Sequence, residues 1–274
     1  MNNVPKNISR KNTILTFVFG IFLALTAQAQ ITTRNGAGNL ATVTVVRDQF
    51  RVDLGGGSTA GANGSFGGLR REVNWDGVPA AFSAPNALPA DFFNVTSPRG
   101  MVLVPSPGGN TFQVSGASTD AGAGQPAAAS FGNINATYTG AFQAFSPQRL
   151  FTALGNHSYE VRFFLPGTTT PALVSGFGAI FSDVDVAGTT FIQIFGANGE
   201  SLLASATSPA SSGYSFLGYF SNNGQALISR ALISPGNTPA GPNDNNGNSD
   251  IVFADDFIFG EPVINPTIYR NGFE

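Results

Sequence analysis

Cysteine is absent from all 274 residues, and the last lysine is Lys11. Without thiols the chain forms no disulfides and offers no thiolate ligands, so its core, or a metal held by oxygen, must supply what disulfides give other exported domains. Charge is scarce as well: Asp, Glu, Lys and Arg make up 11% of the residues. Beyond residue 29 there are 10 arginines against 16 acidic residues, a net charge of about −6. A nucleic-acid binder needs a basic stripe to neutralise phosphates, and an anionic membrane surface needs clustered Lys or Arg. Neither partner is expected. Histidine and tryptophan occur once each, as His157 and Trp75. A zinc site therefore lacks nitrogen and sulfur ligands, and nucleophilic catalysis lacks a G-x-S-x-G turn and any nucleophile–base pair that the sequence marks out.

The first 30 residues differ from the rest. Lys6, Arg10 and Lys11 form a basic start, residues 14–25 are an apolar run, and Ala27-Gln28-Ala29 has the small-x-small form of a cleavage site. This pattern predicts a secretory signal over residues 1–29, cleaved after Ala29. The apolar run is shorter than the roughly 20 residues of a spanning helix, so no membrane insertion of the mature chain is expected. A cysteine-free exported chain points to bacterial export, with the protein secreted or at the cell surface.

Beyond residue 30, short apolar runs alternate with Gly, Asn, Pro and Ser clusters, and no sustained three-to-four residue apolar spacing stands out. The fold class read from this is all-β, an antiparallel β-sandwich of jelly-roll-like type. The whole chain has 25 Phe residues, mostly in or beside these runs, where they would fill the roughly 10 Å gap between two sheets. Residues 190–195 and 201–206 flank Ala197-Asn198-Gly199, and residues 214–220 and 226–233 flank Asn222-Asn223-Gly224. Asn-Gly between strand-like runs predicts two hairpins. Residues 173–181 and 251–259 add strands, and 41–47, 49–54, 101–104, 111–115 and 159–165 read as earlier ones. Residues 101–104 and 111–115 look like a pair. One sandwich domain is expected over residues 30–262, with a C-terminal tail at 263–274.

Acidic residues interrupt two of the apolar strands. In an ideal strand over 251–259, Asp255 shares a face with Phe253 and Phe257, while Asp256 shares the other with Ala254 and Ile258. At least one carboxylate would point into the core, so it should meet an Arg, meet a cation or sit on a bulge. Similarly, Phe177, Ala179 and Phe181 share a face with Asp183 and Asp185. If the two strands pack together, Asp183, Asp185, Asp255 and Asp256 form a candidate calcium site, because hard oxygen clusters suit that ion. An alternative loop site is Asp244, Asn246 and Asn248, at positions one, three and five of an EF-hand-like spacing with Asp255 at twelve. That match lacks the glycine at six and the flanking helices. The alternative to calcium throughout is a solvated strand end and an Arg-paired corner.

Carbohydrate binding is the non-catalytic role that suits an exported sandwich, and Trp75 is its candidate aromatic ligand contact. Extracellular glycan or a cell-surface component is the partner this reading implies, with the oligomeric state left open. Two other readings stand beside it: a secreted carbohydrate-active enzyme using paired carboxylates, and a structural matrix or coat component.

Several segments together resemble a set of exported bacterial β-sandwich proteins without established activity. They are Asn74-Trp75-Asp76-Gly77-Val78-Pro79, Ser97-Pro98-Arg99-Gly100, Phe177-Gly178 running to Asp183-Val184-Asp185, and Asp255-Asp256-Phe257 to Gly260-Glu261-Pro262. The resemblance implies a jelly-roll-like fold and assigns no functional residue.

Overall fold

The computed structural model describes residues 1, 30–57, 69–109, 111–117, 129–242 and 247–264. The expected signal segment, apart from Met1, and the tail beyond Ile264 lie outside the described residues. In chain order the elements are β1 (Ile31–Gly38), α1 (Leu40–Asp53), β2 (Arg70–Val73), α2 (Phe92–Val95), β3 (Met101–Pro105), β4 (Thr111–Val114), α3 (Tyr138–Ala141), β5 (Phe151–Leu154) and β6 (Tyr159–Phe163). They continue with β7 (Ala172–Leu173), β8 (Gly176–Val184), β9 (Phe191–Phe195), β10 (Ser201–Ala206), β11 (Ala210–Ser221), β12 (Arg230–Ser234), β13 (Phe253–Gly260) and β14 (Val263–Ile264).

Two antiparallel sheets pack face to face. One has seven strands in the order β1-β11-β8-β13-β5-β4 with β2 also on β13, the other five in the order β10-β9-β12-β6-β3. Take β5, β6 and β8 to β13 in sequence: the chain crosses from sheet to sheet at every step except the β9–β10 hairpin. The resulting orders, β11-β8-β13-β5 and β10-β9-β12-β6, are those of a jelly roll. β1, β4 and β3 extend its edges. Between the sheets lie Phe163, Phe177, Phe181, Ile194, Leu217 and Phe257 with their neighbours, all fully or nearly fully buried. Among the described residues no helix is long and apolar enough to cross a membrane.

Two of the expected pairings are rearranged. The Asn198-Gly199 hairpin forms as expected, with Phe195 opposite Ser201 and Phe191 opposite Ala206. Around Asn222-Asn223-Gly224, however, β11 belongs to the seven-stranded sheet and β12 to the five-stranded one, so this turn carries the chain between sheets. β3 and β4 likewise separate, β3 pairing with β6 and β4 with β5. A turn signal fixes where the chain reverses, and the burial of both flanking faces decides which sheet receives the next strand.

Leu40–Asp53 is a helix where strands were expected over 41–47 and 49–54. Val43, Val45, Val46 and Val52 favour extended backbone locally, but Asn39 caps α1, its Oδ1 accepting from the Thr42 backbone N–H at 3.0 Å. Val43, Val46, Phe50 and Leu54 then fall on one face and pack on Ile180, Phe216, Phe220 and Ile258, on the outer side of the seven-stranded sheet. Burial of an amphipathic face outweighs propensity. The outer side must be flat for this. Gly178 and Gly218 face each other in register, and a Cβ on either would come within 2.9 Å of the Phe50 ring. Beside α1, residues 129–145 cover the rest of that face with a third apolar cluster, Phe131, Tyr138, Phe142, Leu150 and Phe253. The phenylalanines thus fill three layers rather than one.

Candidate functional site

Asp255 and Asp256 occupy a two-for-one bulge of β13. Ala254 pairs with Phe181 and Phe257 with Ala179, with a shift of register between them, so both aspartates oppose Ile180. The bulge restores alternation: Ala254 and Phe257 face the inner core, and both carboxyls turn to the outer face. The ideal-strand expectation that one of them points inward is overturned for this reason. Both side chains are buried, at 0% and 4% exposure. The Asp255 carboxyl accepts from the Phe145 backbone N–H at 2.5 Å and lies 3.0 Å from Ser146 Oγ, which also donates to Asp256 at 2.7 Å. Arg47 of α1 stands 4.0 Å from Asp256. Burial, then repulsion from Asp256, holds the Asp255 carboxyl well above the usual carboxylate range. Asp256 is also raised by burial, opposed by hydrogen bonds from Ser146 and Asp255 and by the Arg47 charge. Burial of two adjacent carboxyls thus favours one shared proton on the pair.

Trp75 closes the same bulge from the side. β13 pairs with β2 from Phe257 to Gly260 but with β5 only at Ala254, so at Asp255 the carbonyl has no ladder partner on that edge. Trp75 Nε1 donates to that carbonyl at 2.7 Å. Its ring is 1% exposed, stacked on Phe151 at 4.2 Å with Phe257 and Phe93 edge-on. Trp75 presents no face to solvent and is a core plug. Asp76 next to it accepts from the backbone N–H groups of Gln148 and Arg149 at 2.5 and 3.1 Å.

Asp183 and Asp185 are separate from this pair. Asp183 has a positive φ of 64°, and the kink shifts alternation by one residue, so that Val184 faces the inner core and Asp183 does not. Its Oδ1 accepts from the Ser212 backbone N–H at 2.6 Å. Burial raises its pKa, with Asp185 and Asp250 adding repulsion. Asp250, fully buried, accepts from the Asp185 and Val186 N–H groups at 3.1 and 3.4 Å and from the Thr189 hydroxyl. A cavity of about 350 Å³ opens here, lined by Asn135, Thr137, Tyr138 and Phe142 together with Asp183 and Asp185.

The four aspartates expected to share one cation are thus divided between two places. Among the described residues no three acidic or histidine side chains converge as a metal would require. Asp244 and Asn246 lie outside the described residues, and Asn248 is exposed, its carbonyl accepting from Asn237 at 3.0 Å. His157 sits beyond β5 with its pKa lowered by burial. Ser146, Arg47, Asp76 and Asp250 complete these clusters, and sequence reasoning missed their roles. Only Asp76 carried a signal, as neighbour of the single tryptophan. No family model, no curated protein and no solved structure matches the chain.

Proposed function

We propose that this chain is an exported, non-catalytic binding protein acting at or outside the cell surface, and that it takes a glycan in the cavity between Asp183, Asp185 and the covering segment. The observation that carries this reading is the lining. Carboxylates, an amide and a hydroxyl line an opening of about 350 Å³ together with Tyr138 and Phe142, within the size range of small-ligand sites. Such walls suit a sugar, whose hydroxyls need acceptors and whose C–H faces need apolar contact. The buried bulge pair Asp255–Asp256 is out of reach of any substrate, which speaks against it as a catalytic dyad.

A glycan array on the purified protein tests the reading. Selective binding without turnover, lost in Asp183→Asn and Asp185→Asn, supports it; silence across the array sinks it and leaves a structural matrix or coat role. One observation favours a second reading, a carbohydrate-active enzyme: Asp183 is raised by burial and by its acidic neighbours, as a general acid would be. Turnover of a bound glycan, abolished in Asp183→Asn, is its signature. A melting temperature that rises with added calcium and falls on chelation would instead assign a cation to Asp183 and Asp185.

A further inference from the structure

We propose that the carboxyl pair on the β13 bulge is a proton-dependent clasp that holds α1 and residues 143–146 on the outer face of the jelly roll. Three features carry it. First, the pair is buried beneath both covering elements, hydrogen-bonded to residues 145 and 146 through Phe145 N–H and Ser146 Oγ and facing the Arg47 guanidinium of α1 across 4.0 Å. Second, charge does not balance around it without a proton. α1 contributes Arg47, Asp48 and Arg51, and β2 contributes Arg70 and Glu72, joined by Arg51–Glu72, Arg70–Glu72, Arg51–Asp48 and Arg47–Asp48 contacts of 2.7 to 2.9 Å. With Asp255 and Asp256 added, four acids meet three guanidiniums, and one proton on the pair makes the patch neutral. Asp76 and Tyr214 are the other titratable groups that face it, and each of them adds or feels negative charge, Asp76 through Asp256 and Tyr214 through Asp255. Third, the covering layer is separable. The inner core contains no residue of α1, which joins the rest through Asn39 on one side and Gly55 and Gly56 on the other.

Losing the shared proton leaves a second, uncompensated carboxylate in the interior. The cheapest relief is to let water in under α1 and residues 143–146, a local opening that leaves the two sheets paired. The hydrogen bonds of the two carboxyls run to residues 145 and 146, so their ionisation acts first on the covering layer.

Amide hydrogen exchange of the parent protein, corrected for the intrinsic rate, from about pH 6 to about pH 9 tests this. Protection across residues 40–54 is expected to fall at least about tenfold over that range, one pKa unit of coupling, while β8, β9 and β12 keep theirs. Trp75, bonded to the Asp255 carbonyl, should report the same transition in its fluorescence. Asp255→Asn, which keeps an acceptor for Phe145 N–H and a donor for Asp256, should flatten both profiles; if it does not fold, Asp256→Asn should flatten them instead. Constant protection of residues 40–54, loss of protection in all strands together, or a full pH profile in a folded Asp→Asn variant each overturns the proposal.

Discussion

On its inner face the seven-stranded sheet offers Phe177, Phe181, Leu217, Tyr219, Phe257 and Phe259 to the opposite sheet. The outer face of the same strands carries Ile180, Phe216 and Ile258 together with two buried carboxyls and two facing glycines. Inside, the main requirement is volume, met by large rings, with the Tyr219 hydroxyl bonded to the Ile192 carbonyl at 2.9 Å. Outside, one helix and a short segment must cover the sheet, so the layer depends on close backbone approach at Gly178 and Gly218 and on paired charges. The inner layer is expected to be indifferent to pH and tolerant of volume-conserving changes. The outer layer should be sensitive to a single methyl or a single proton.

The largest effect should come from removing a bulge carboxyl. Asp255→Ala strips the Phe145 N–H of its acceptor, takes the proton donor from Asp256 and leaves a gap beneath α1, so it is expected to destabilise by about 3–5 kcal/mol. Asp255→Asn, of the same shape and with an uncharged amide where the pair shares its proton, should stay within about 1 kcal/mol at neutral pH. Urea unfolding of the two variants beside the parent separates them. Equal losses in both would mean that Asp255 is ionised in the native protein.

Next in size is the glycine pair. A methyl at Gly218 meets the Phe50 ring at 2.8 Å, and overpacking of this kind costs roughly 1–3 kcal/mol. Gly218→Ala should therefore lower the denaturation midpoint, and adding Phe50→Leu should recover part of the loss despite itself deleting buried atoms. Strict additivity in the double-mutant cycle would show that the two residues are not coupled.

These same positions show what the sequence made legible. The alternation in 177–181 and 257–259 and the Asn198-Gly199 turn gave the sandwich, and the aspartates inside an apolar strand called for an Arg, a cation or a bulge, of which the register shift at β13 supplies the bulge. The acids at the end of β8 were harder to read, since nothing local foretells the positive φ at Asp183. α1 was hidden by its valines and by Arg47 and Arg51. Arginines normally mark a solvent face, whereas here they lie on the buried side, paired with acids 21 or more residues away in sequence, Glu72 and Asp256. Three-to-four residue spacing was present in Val43, Val46, Phe50 and Leu54, interrupted by residues whose burial only the tertiary partners explain.

A smaller effect, of unusual direction, is expected from Asp76. Its carboxyl is pushed up to about 6 from the ordinary 3.8, first by burial and secondarily by Asp256, against two backbone hydrogen bonds that lower it. The folded protein holds this proton more tightly than the unfolded chain, so its contribution to stability is fully present below about 3.8 and is lost as pH rises through about 6. Asp76 is half-exposed, and solvent screening reduces the contribution to about 1 kcal/mol. The melting temperature should accordingly rise between about pH 7 and pH 5, and Asp76→Asn should reduce that rise without touching the profile above pH 7. A parent protein that loses stability over this interval on acidification would mean that other carboxylates dominate.

The smallest effect belongs to the inner layer and tests whether volume is all it asks for. Tyr159 is fully buried, edge-on to Phe112 and Phe151, and its hydroxyl has no hydrogen-bond partner among the described residues. Burial alone drives its pKa well above the usual value. An unsatisfied buried hydroxyl costs about 1–3 kcal/mol, and its removal forfeits only the packing of one oxygen atom. Tyr159→Phe is therefore expected to be neutral or to stabilise by up to about 1 kcal/mol, measured as a shift in denaturation midpoint with the slope unchanged. A loss of 1 kcal/mol or more would show that the hydroxyl is bonded in solution. The inner layer would then contain a second buried phenol contact beside that of Tyr219, whose hydroxyl donates to the Ile192 carbonyl at 2.9 Å, and the contrast between the two faces of the sheet would narrow to the proton that only the outer one holds.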